Sequence, residues 1–378
     1  MNVSKSVIDQ FLAIDDPWKL SEAERKDLLV RSIAEAAEFH YANNPVWRKL
    51  CDSRNFSPGE IKTYDDLKRI PVISTRAFKG GFNLLSVPEK DIVKVHMSSG
   101  TLGSRSRVPR DKITMERNRI SMLKTIDKFR DSKYGYIGMM SPSPDEISDL
   151  TMASYAKISL EGFKSYDFFL KLDGGFQPEK VVERLNTVTD RPVSIGGAPM
   201  LVLALADYVM KSGNRIITMS EESTVTTGGG FKTHQGEMVD RQTYNHIVME
   251  AFGVKEKNIR DVYSMSELNG ILYECEHHYK HVPPYFYLSV RNPANLEEEV
   301  PFGEEGLPVF IDPLAHSYPG FILADDIVRM RTDISEKCSC GVAGAVLDTS
   351  VRRARGAEEK GCGRHVDELK EKLTVEAL

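Results

Sequence analysis

Val95-His-Met-Ser-Ser-Gly-Thr-Leu-Gly-Ser-Arg-Ser-Arg107 joins an alternating apolar segment (Ile92, Val93, Val95, Met97) to a long amphipathic helical pattern. Two glycines, four serines and a threonine fill the turn. With so little side-chain bulk, backbone N–H groups can face an anion, and hydroxyls can reach phosphate oxygens or a metal held by them. Arg105, Arg107 and Arg110 add positive charge beyond the turn. The run lacks the G-x-x-x-x-G-K-[ST] spacing of a Walker A loop. Alone, a Ser/Gly run reads more readily as a solvated linker, so the elements around it decide.

Upstream, Ser21 and Glu24 form a capping box for a helix whose apolar face is Leu28, Leu29, Ile33, Ala36 and Phe39 and which ends near Asn43-Asn44-Pro45. Downstream, Thr114 is placed to cap a second helix bearing Ile120, Leu123, Ile126 and Phe129. Strand patterns follow at Tyr134–Met140, 192–197, Ser223–Thr227 and Ile259–Met265, separated by helical ones at Pro199–Met210 and over about twenty residues ending at Phe252. Such alternation predicts an α/β fold with a largely parallel sheet. Ligands then bind beyond the carboxyl ends of the strands, where loops 98–107, 228–234 and 263–269 lie. From Ile271 the pattern turns to short strand-like runs (284–291, 307–311, 320–323), predicting an antiparallel region over 271–327. That region completes a large N-terminal domain, 1–327, and the charged residues 328–378 form a short C-terminal lobe.

The chain of 378 residues has 41% hydrophobic and 28% charged residues, ordinary for a globular protein. A net charge of −5 leaves no electrostatic footprint for nucleic acid. No apolar run approaches the roughly 20 residues that span a bilayer. The N-terminal Met-Asn-Val-Ser-Lys-Ser lacks the apolar core of a signal peptide, so a cytoplasmic location is expected. Five cysteines, an odd number in a long chain, point to metal binding or catalysis before a disulfide framework.

The order of the loops carries a resemblance. The Ser-Ser-Gly-Thr-x-Gly loop comes first, then Gly228-Gly-Gly-Phe-Lys232, Tyr263-Ser-Met-Ser-Glu267 and Asp325-Asp-Ile327. Together they resemble the adenylate-forming enzymes of the phenylacetate–CoA ligase branch from about residue 30 to residue 355. More narrowly, Gly228–His234, Ile259–Asn269, His281-Val-Pro-Pro-Tyr285, Ser317–Ile327, Arg352-Arg353 and Lys360-Gly-Cys362 look like the acyl-protein synthetases of bacterial bioluminescence. That family activates a fatty acid with ATP, forms an acyl thioester on its own C-terminal cysteine, and works with a reductase.

The resemblance implies ATP and Mg²⁺ as cofactors. Attack of a carboxylate on the α-phosphorus of ATP brings two anions together, so the site must hold phosphates and neutralise charge. By the resemblance, Ser98, Ser99, Gly100, Thr101 and Gly103 hold the phosphates and Glu267 holds Mg²⁺, a hard cation that takes oxygen ligands. Tyr263 stacks on adenine beside the backbone of Gly228, Gly229 and Gly230, Asp326 accepts from the ribose, and Arg353 stands at the hinge between lobes. Taken without the resemblance, Tyr263 reads as core, Asp326 as a turn cap, and the glycines as a plain turn. Glu267 is harder to dismiss, since burying an unpaired carboxylate is costly. Two features depart from the pattern. Arginines stand where relatives place a lysine after the first loop, and Lys360, Lys370 and Lys372 are equal candidates for the lysine of the C-terminal lobe.

Cys338-Ser-Cys340-Gly lies about sixty residues after Cys275-Glu-His277-His278-Tyr-Lys-His281. Tetrahedral zinc takes four S/N ligands, often from two separated segments. Likeness to the phenylacetate–CoA-ligase group implies a structural zinc on Cys275, His281, Cys338 and Cys340, with His277 or His278 as alternatives to His281. Cys362, between glycines in a basic segment, suits a swinging nucleophile because flanking cations favour the thiolate, though the spacing alone fits an incidental surface cysteine. Cys51 reads as a small core residue. Ser194-Ile-Gly-Gly-Ala-Pro-Met200 has two readings: the glycine pair leaves room for an acyl chain, or it serves helix–sheet packing.

The expected activity is adenylation of a fatty acid, thioester formation at Cys362, and delivery to an acyl reductase or carrier-protein partner. A CoA ligase for acyl or aryl acids, with Cys362 dispensable, is the first rival. A degenerate adenylate-binding scaffold, suggested by the short lobe and missing lysine, is the second.

Overall fold

The computed structural model describes residues 6–98, 105–130, 135–172, 175–229 and 239–355. The chain forms two compact units: residues 1–124, 265–271 and 281–378 in one, and 125–264 with 272–280 in the other. The strand Asp326–Thr332 runs through residue 327, where a domain boundary was expected.

The second unit holds the α/β sheet. Its strands lie in the order Ser165–Phe168, Tyr136–Met140, Val193–Gly197, Thr224–Gly228, Ile259–Tyr263, all parallel, with Leu272–Glu274 added antiparallel. Every residue of Tyr136–Met140 is buried, as a parallel strand covered on both faces requires. Val193, Ile195, Val225 and Ile259 pack against Leu201, Val202 and Leu205 of helix Pro199–Ser212 and against Tyr244 and Val248 of helix Arg241–Phe252. Each of these helices ends on a left-handed glycine, Gly213 at φ 71° and Gly253 at φ 67°. Helix Arg241–Phe252 has 12 residues rather than about twenty, because the Asp240 side chain caps it by accepting from the Thr243 amide.

By position in the chain the parallel strands run second, first, third, fourth, fifth across the sheet, so the strand order, not the strand direction, reverses between Tyr136–Met140 and Val193–Gly197. Ligands of such sheets sit at that reversal, which is where the pair Gly196-Gly197 stands. The structure gives the pair to packing. A Cβ on Gly196 would stand 2.7 Å from Met139 Sδ, and one on Gly197, at φ 147°, would stand 2.6 Å from the Met140 carbonyl oxygen. Gly197→Ala is therefore expected to destabilise the protein by about 3 kcal/mol. Urea unfolding checks this, and a midpoint equal to wild type would refute it.

The first unit is built on an antiparallel sheet. Tyr287–Asn292 pairs with Asn295–Glu299 and with Glu305–Ile311, which pairs with Phe321–Leu323 and, at its start, with Asp326–Thr332. Ile73–Ser74 adds a parallel edge. Trp47 packs on Phe321 at 4.9 Å between ring centroids and donates its Nε1–H to the Pro71 carbonyl at 2.9 Å.

Helix Glu22–Asn43 starts on the Ser21–Glu24 capping box, as its sequence predicts. Its buried face differs from the expected one. It runs Arg25, Leu29, Ser32/Ile33, Ala37 and His40, with Leu28, Ala36 and Phe39 only half-buried. Polar groups are tolerated there because they are bonded. Arg25 donates to the Ile334 carbonyl at 2.7 Å, and His40 meets Ser86 Oγ at 2.8 Å and the Ala315 carbonyl at 3.2 Å. Among the described residues no helix is long and apolar enough to cross a membrane.

Candidate active site

Strands Ile92–Met97 and Arg107–Asp111 form an antiparallel hairpin whose connection is the Ser/Gly-rich loop. Ser98 and Ser106 close its neck: the Ser98 amide donates to the Ser106 carbonyl at 3.2 Å, and the Ser106 amide donates to Ser98 Oγ at 2.9 Å. Ser99, Gly100, Thr101 and Gly103 lie outside the described residues, as do Gly230 and Cys362. After the hairpin, Asp111 rather than Thr114 caps helix Lys112–Phe129. The Thr114 amide donates to Asp111 Oδ1 at 2.9 Å, which leaves the Thr114 hydroxyl to accept from the amides of His316 and Ser317.

Glu267 sits in the same unit, only 3% exposed. Burial pushes its carboxyl above the ordinary range, opposed by a hydrogen bond from the Ser106 side chain and by the charges of Lys79 and Arg353. Among the described residues no basic side chain forms an ion pair with it. A desolvated carboxylate held at a loop neck suits a divalent metal: an ion at that oxygen would repay the cost of desolvation. Lys79 and Ser106 were not singled out in the sequence. Lys79 has no motif around it, whereas Ser106 ends the loop that was read.

Asp326 and Arg353 face each other across paired strands, with Arg353 Nε 3.3 Å from Asp326 Oδ1. Asp325 is held by Arg76 at 3.3 Å. The carboxylate assigned to ribose is thus already oriented by the arginine assigned to the hinge. In the second unit, Gly228 and Val262 are register partners, and Tyr263 ends the same strand as Val262, so two of the loops proposed for adenine leave neighbouring strand ends. Gly229, at φ 101°, holds a conformation that glycine alone adopts without strain. The strand ending in Tyr263 is anchored by a buried charge network. Lys280 Nζ lies 3.0 Å from Asp261 and 2.9 Å from Glu274, and Arg241 Nη2 is 2.7 Å from Glu274.

Cys275, His281, Cys338 and Cys340 place one ligand atom each within 4.8 Å of one another. Two tight turns present them. The amide of His278, at φ 64°, donates to the Cys275 carbonyl, and the Gly341 amide, at φ 83°, donates to the Cys338 carbonyl. Cys340 Sγ lies 3.3 Å from His281 Nε2. The alternative histidines point elsewhere: His277 is 3.9 Å from Glu276, and His278 is 3.5 Å from Glu274. Three thiols and an imidazole are a donor set that fits zinc.

The family model "Acyl-protein synthetase, LuxE" matches residues 2–374. The long-chain-fatty-acid–luciferin-component ligase of Aliivibrio fischeri is 29% identical over 364 residues, 95% of this chain and 93% of that protein. Its counterpart in Vibrio harveyi is 27% identical over 365 residues, 96% of this chain and 93% of that one. Among solved structures, an open conformation of 2-hydroxyisobutyryl-CoA ligase in complex with 2-HIB-AMP and CoA superposes with a TM-score of 0.68 at 17% identity, covering 88% of this chain and 71% of that one. That likeness gives an adenylate-forming ligase fold. With the match spanning nearly the whole sequence, this chain belongs to the acyl-protein synthetase family.

Proposed function

We propose that the protein activates a fatty acid with ATP and Mg²⁺, takes the acyl group as a thioester on Cys362, and passes it to an acyl reductase or carrier protein. A carboxylate oxygen attacks the α-phosphorus and pyrophosphate leaves; the Cys362 thiolate then attacks the acyl carbon and AMP leaves. The observation that carries the reading is the family match over residues 2–374, together with two relatives named as long-chain-fatty-acid ligases. Glu267 would hold Mg²⁺, which supplies positive charge against the phosphates. Ser98, Ser99, Gly100, Thr101 and Gly103 would cradle those phosphates, Tyr263 and Gly228–Gly230 would bind adenine, and Asp326, steadied by Arg353, would accept from ribose.

ATP–pyrophosphate exchange across a panel of carboxylic acids, followed by intact mass, tests this. Exchange with long-chain acids and a covalent acyl adduct are expected. Exchange without an adduct, with product only when CoA is supplied, would assign the chain to the CoA ligases. No exchange with any acid would leave a scaffold.

Cys275, His281, Cys338 and Cys340 would hold a structural zinc. Elemental analysis should find about one zinc per chain, lost in the Cys338→Ser, Cys340→Ser double variant together with a fall in melting temperature. A metal-free, stably folded wild type would refute it.

A further inference from the structure

The loop that carries Glu267 is gripped along its backbone from one side. Arg110, fully buried near the end of strand Arg107–Asp111, donates through Nη2 to the Ser266 carbonyl at 2.9 Å and to the Leu268 carbonyl at 3.0 Å. Between them, the Tyr318 hydroxyl donates to the Glu267 carbonyl at 3.0 Å. The next residue, Asn269, gives both its amide (2.8 Å) and its side-chain nitrogen (2.9 Å) to Asp312 Oδ2, and the same nitrogen lies 3.0 Å from the Tyr318 hydroxyl. Asp312 is fixed in turn by the Leu314 amide on Oδ1 at 2.8 Å. Arg110, Asn269, Asp312 and Tyr318 are each fully buried.

Three successive carbonyls, 266 to 268, thus all find donors inside the protein. A buried carbonyl without a donor is costly, and this arrangement satisfies all three. Burial pushes the Asp312 carboxyl up to about 6 against the pull of Asn269, Leu314 and Arg110, so the anchor is a carboxylate held under desolvation strain. The chain continues tightly packed: a Cβ on Gly270 would stand 2.7 Å from the Phe286 ring. Arg110 Nη2 thus holds the backbone on either side of Glu267.

We infer that Arg110, Tyr318 and the Asn269–Asp312 pair form a buried bracket that presets the Glu267 carboxylate for its divalent cation, making Arg110 and Tyr318 positioning residues. This rests on Glu267 being the Mg²⁺ ligand proposed above. A preset carboxylate avoids the ordering cost of finding its place when metal and nucleotide arrive. Loss of such supporting contacts costs roughly 10–100-fold in metal affinity or activity.

The experiment uses the full chain with a non-hydrolysable ATP analogue and Mn²⁺ as the probe, read by electron paramagnetic resonance, alongside Mg²⁺-dependent pyrophosphate exchange with a long-chain fatty acid. In Tyr318→Phe, which removes one oxygen, and in Arg110→Met, the Mn²⁺ half-saturation should rise about ten-fold, with the KM for the fatty acid unchanged. Arg110→Lys, which keeps the charge but ends one bond short of the Nη2 position, should recover only part of the loss. If Arg110→Met does not fold, Tyr318→Phe decides. Wild-type Mn²⁺ half-saturation in Tyr318→Phe, or an equal rise in the KM for the fatty acid, would overturn the bracket. Glu267→Gln separates the two ideas: unchanged Mn²⁺ binding and exchange there would overturn the metal reading itself. Lost metal binding in Glu267→Gln with wild-type Tyr318→Phe would overturn the bracket alone.

Discussion

Glu267→Gln is expected to lower ATP–pyrophosphate exchange at least about a hundred-fold, equivalent to about 3 kcal/mol of transition-state stabilisation. The same substitution should stabilise the protein in the absence of nucleotide and metal. Burial raises the Glu267 carboxyl above its ordinary range. A carboxyl raised on folding contributes stability that is full below its unfolded pKa and lost as pH rises through its folded pKa. Glutamine never ionises and escapes that loss. Glu267→Gln should therefore melt above wild type at pH 8, with the gap closing as pH falls below the ordinary carboxylate range. Mg²⁺ with ATP should narrow the gap at pH 8, because only the wild-type carboxylate gains from the metal. A variant that keeps full exchange would remove Glu267 from the metal site. One that melts below wild type at pH 8 would show that the carboxylate is a structural contact.

Cys362→Ser is expected to abolish the hydroxylamine-sensitive acyl adduct entirely while leaving pyrophosphate exchange within about two-fold of wild type. In the proposed reaction the two half-reactions have different nucleophiles: the fatty-acid carboxylate would attack phosphorus, and the thiolate would attack the acyl carbon. Removing the second leaves the first. A serine hydroxyl stays protonated near neutrality, where a thiol supplies a usable thiolate fraction. Cys362 lies outside the described residues, so this prediction stands on Lys360-Gly-Cys-Gly-Arg364 and on the family. Intact mass after incubation with ATP, Mg²⁺ and a long-chain acid reads the outcome. An adduct of unchanged size in Cys362→Ser would place the acceptor elsewhere, and loss of exchange together with the adduct would make Cys362 part of the adenylation machinery.

Local chemistry made much of the framework legible. The Ser21–Glu24 capping box started its helix where the residues said it would. The strand–helix alternation from Tyr136 to Tyr263 became a parallel sheet, because runs buried on both faces and helices with one apolar stripe have few other ways to pack. The order of the glycine-rich and acidic loops was enough to point to the family.

Partnerships across long separations were not legible, since periodicity says which face of an element is buried and not what it meets. Helix Glu22–Asn43 turned its buried face to include Arg25 and His40 because carbonyls far along the chain, at Ile334 and Ala315, receive them. Gly196 and Gly197 left two readings open, room for a chain or packing, and the closeness of Met139 and Met140 decides for packing. Of three candidate histidines the resemblance favoured His281, and the fold places it with the cysteines while His277 and His278 lie beside Glu276 and Glu274. By itself the sequence determined four of the five parallel strands and the residue types the chemistry needs, but not the edge strand Ser165–Phe168 or helices Thr151–Leu160 and Pro178–Asn186. The tertiary structure decided the grip of Arg110 and Tyr318 on the loop of Glu267, because a buried hydrogen bond between residues 156 positions apart satisfies polar groups that only folding brings together.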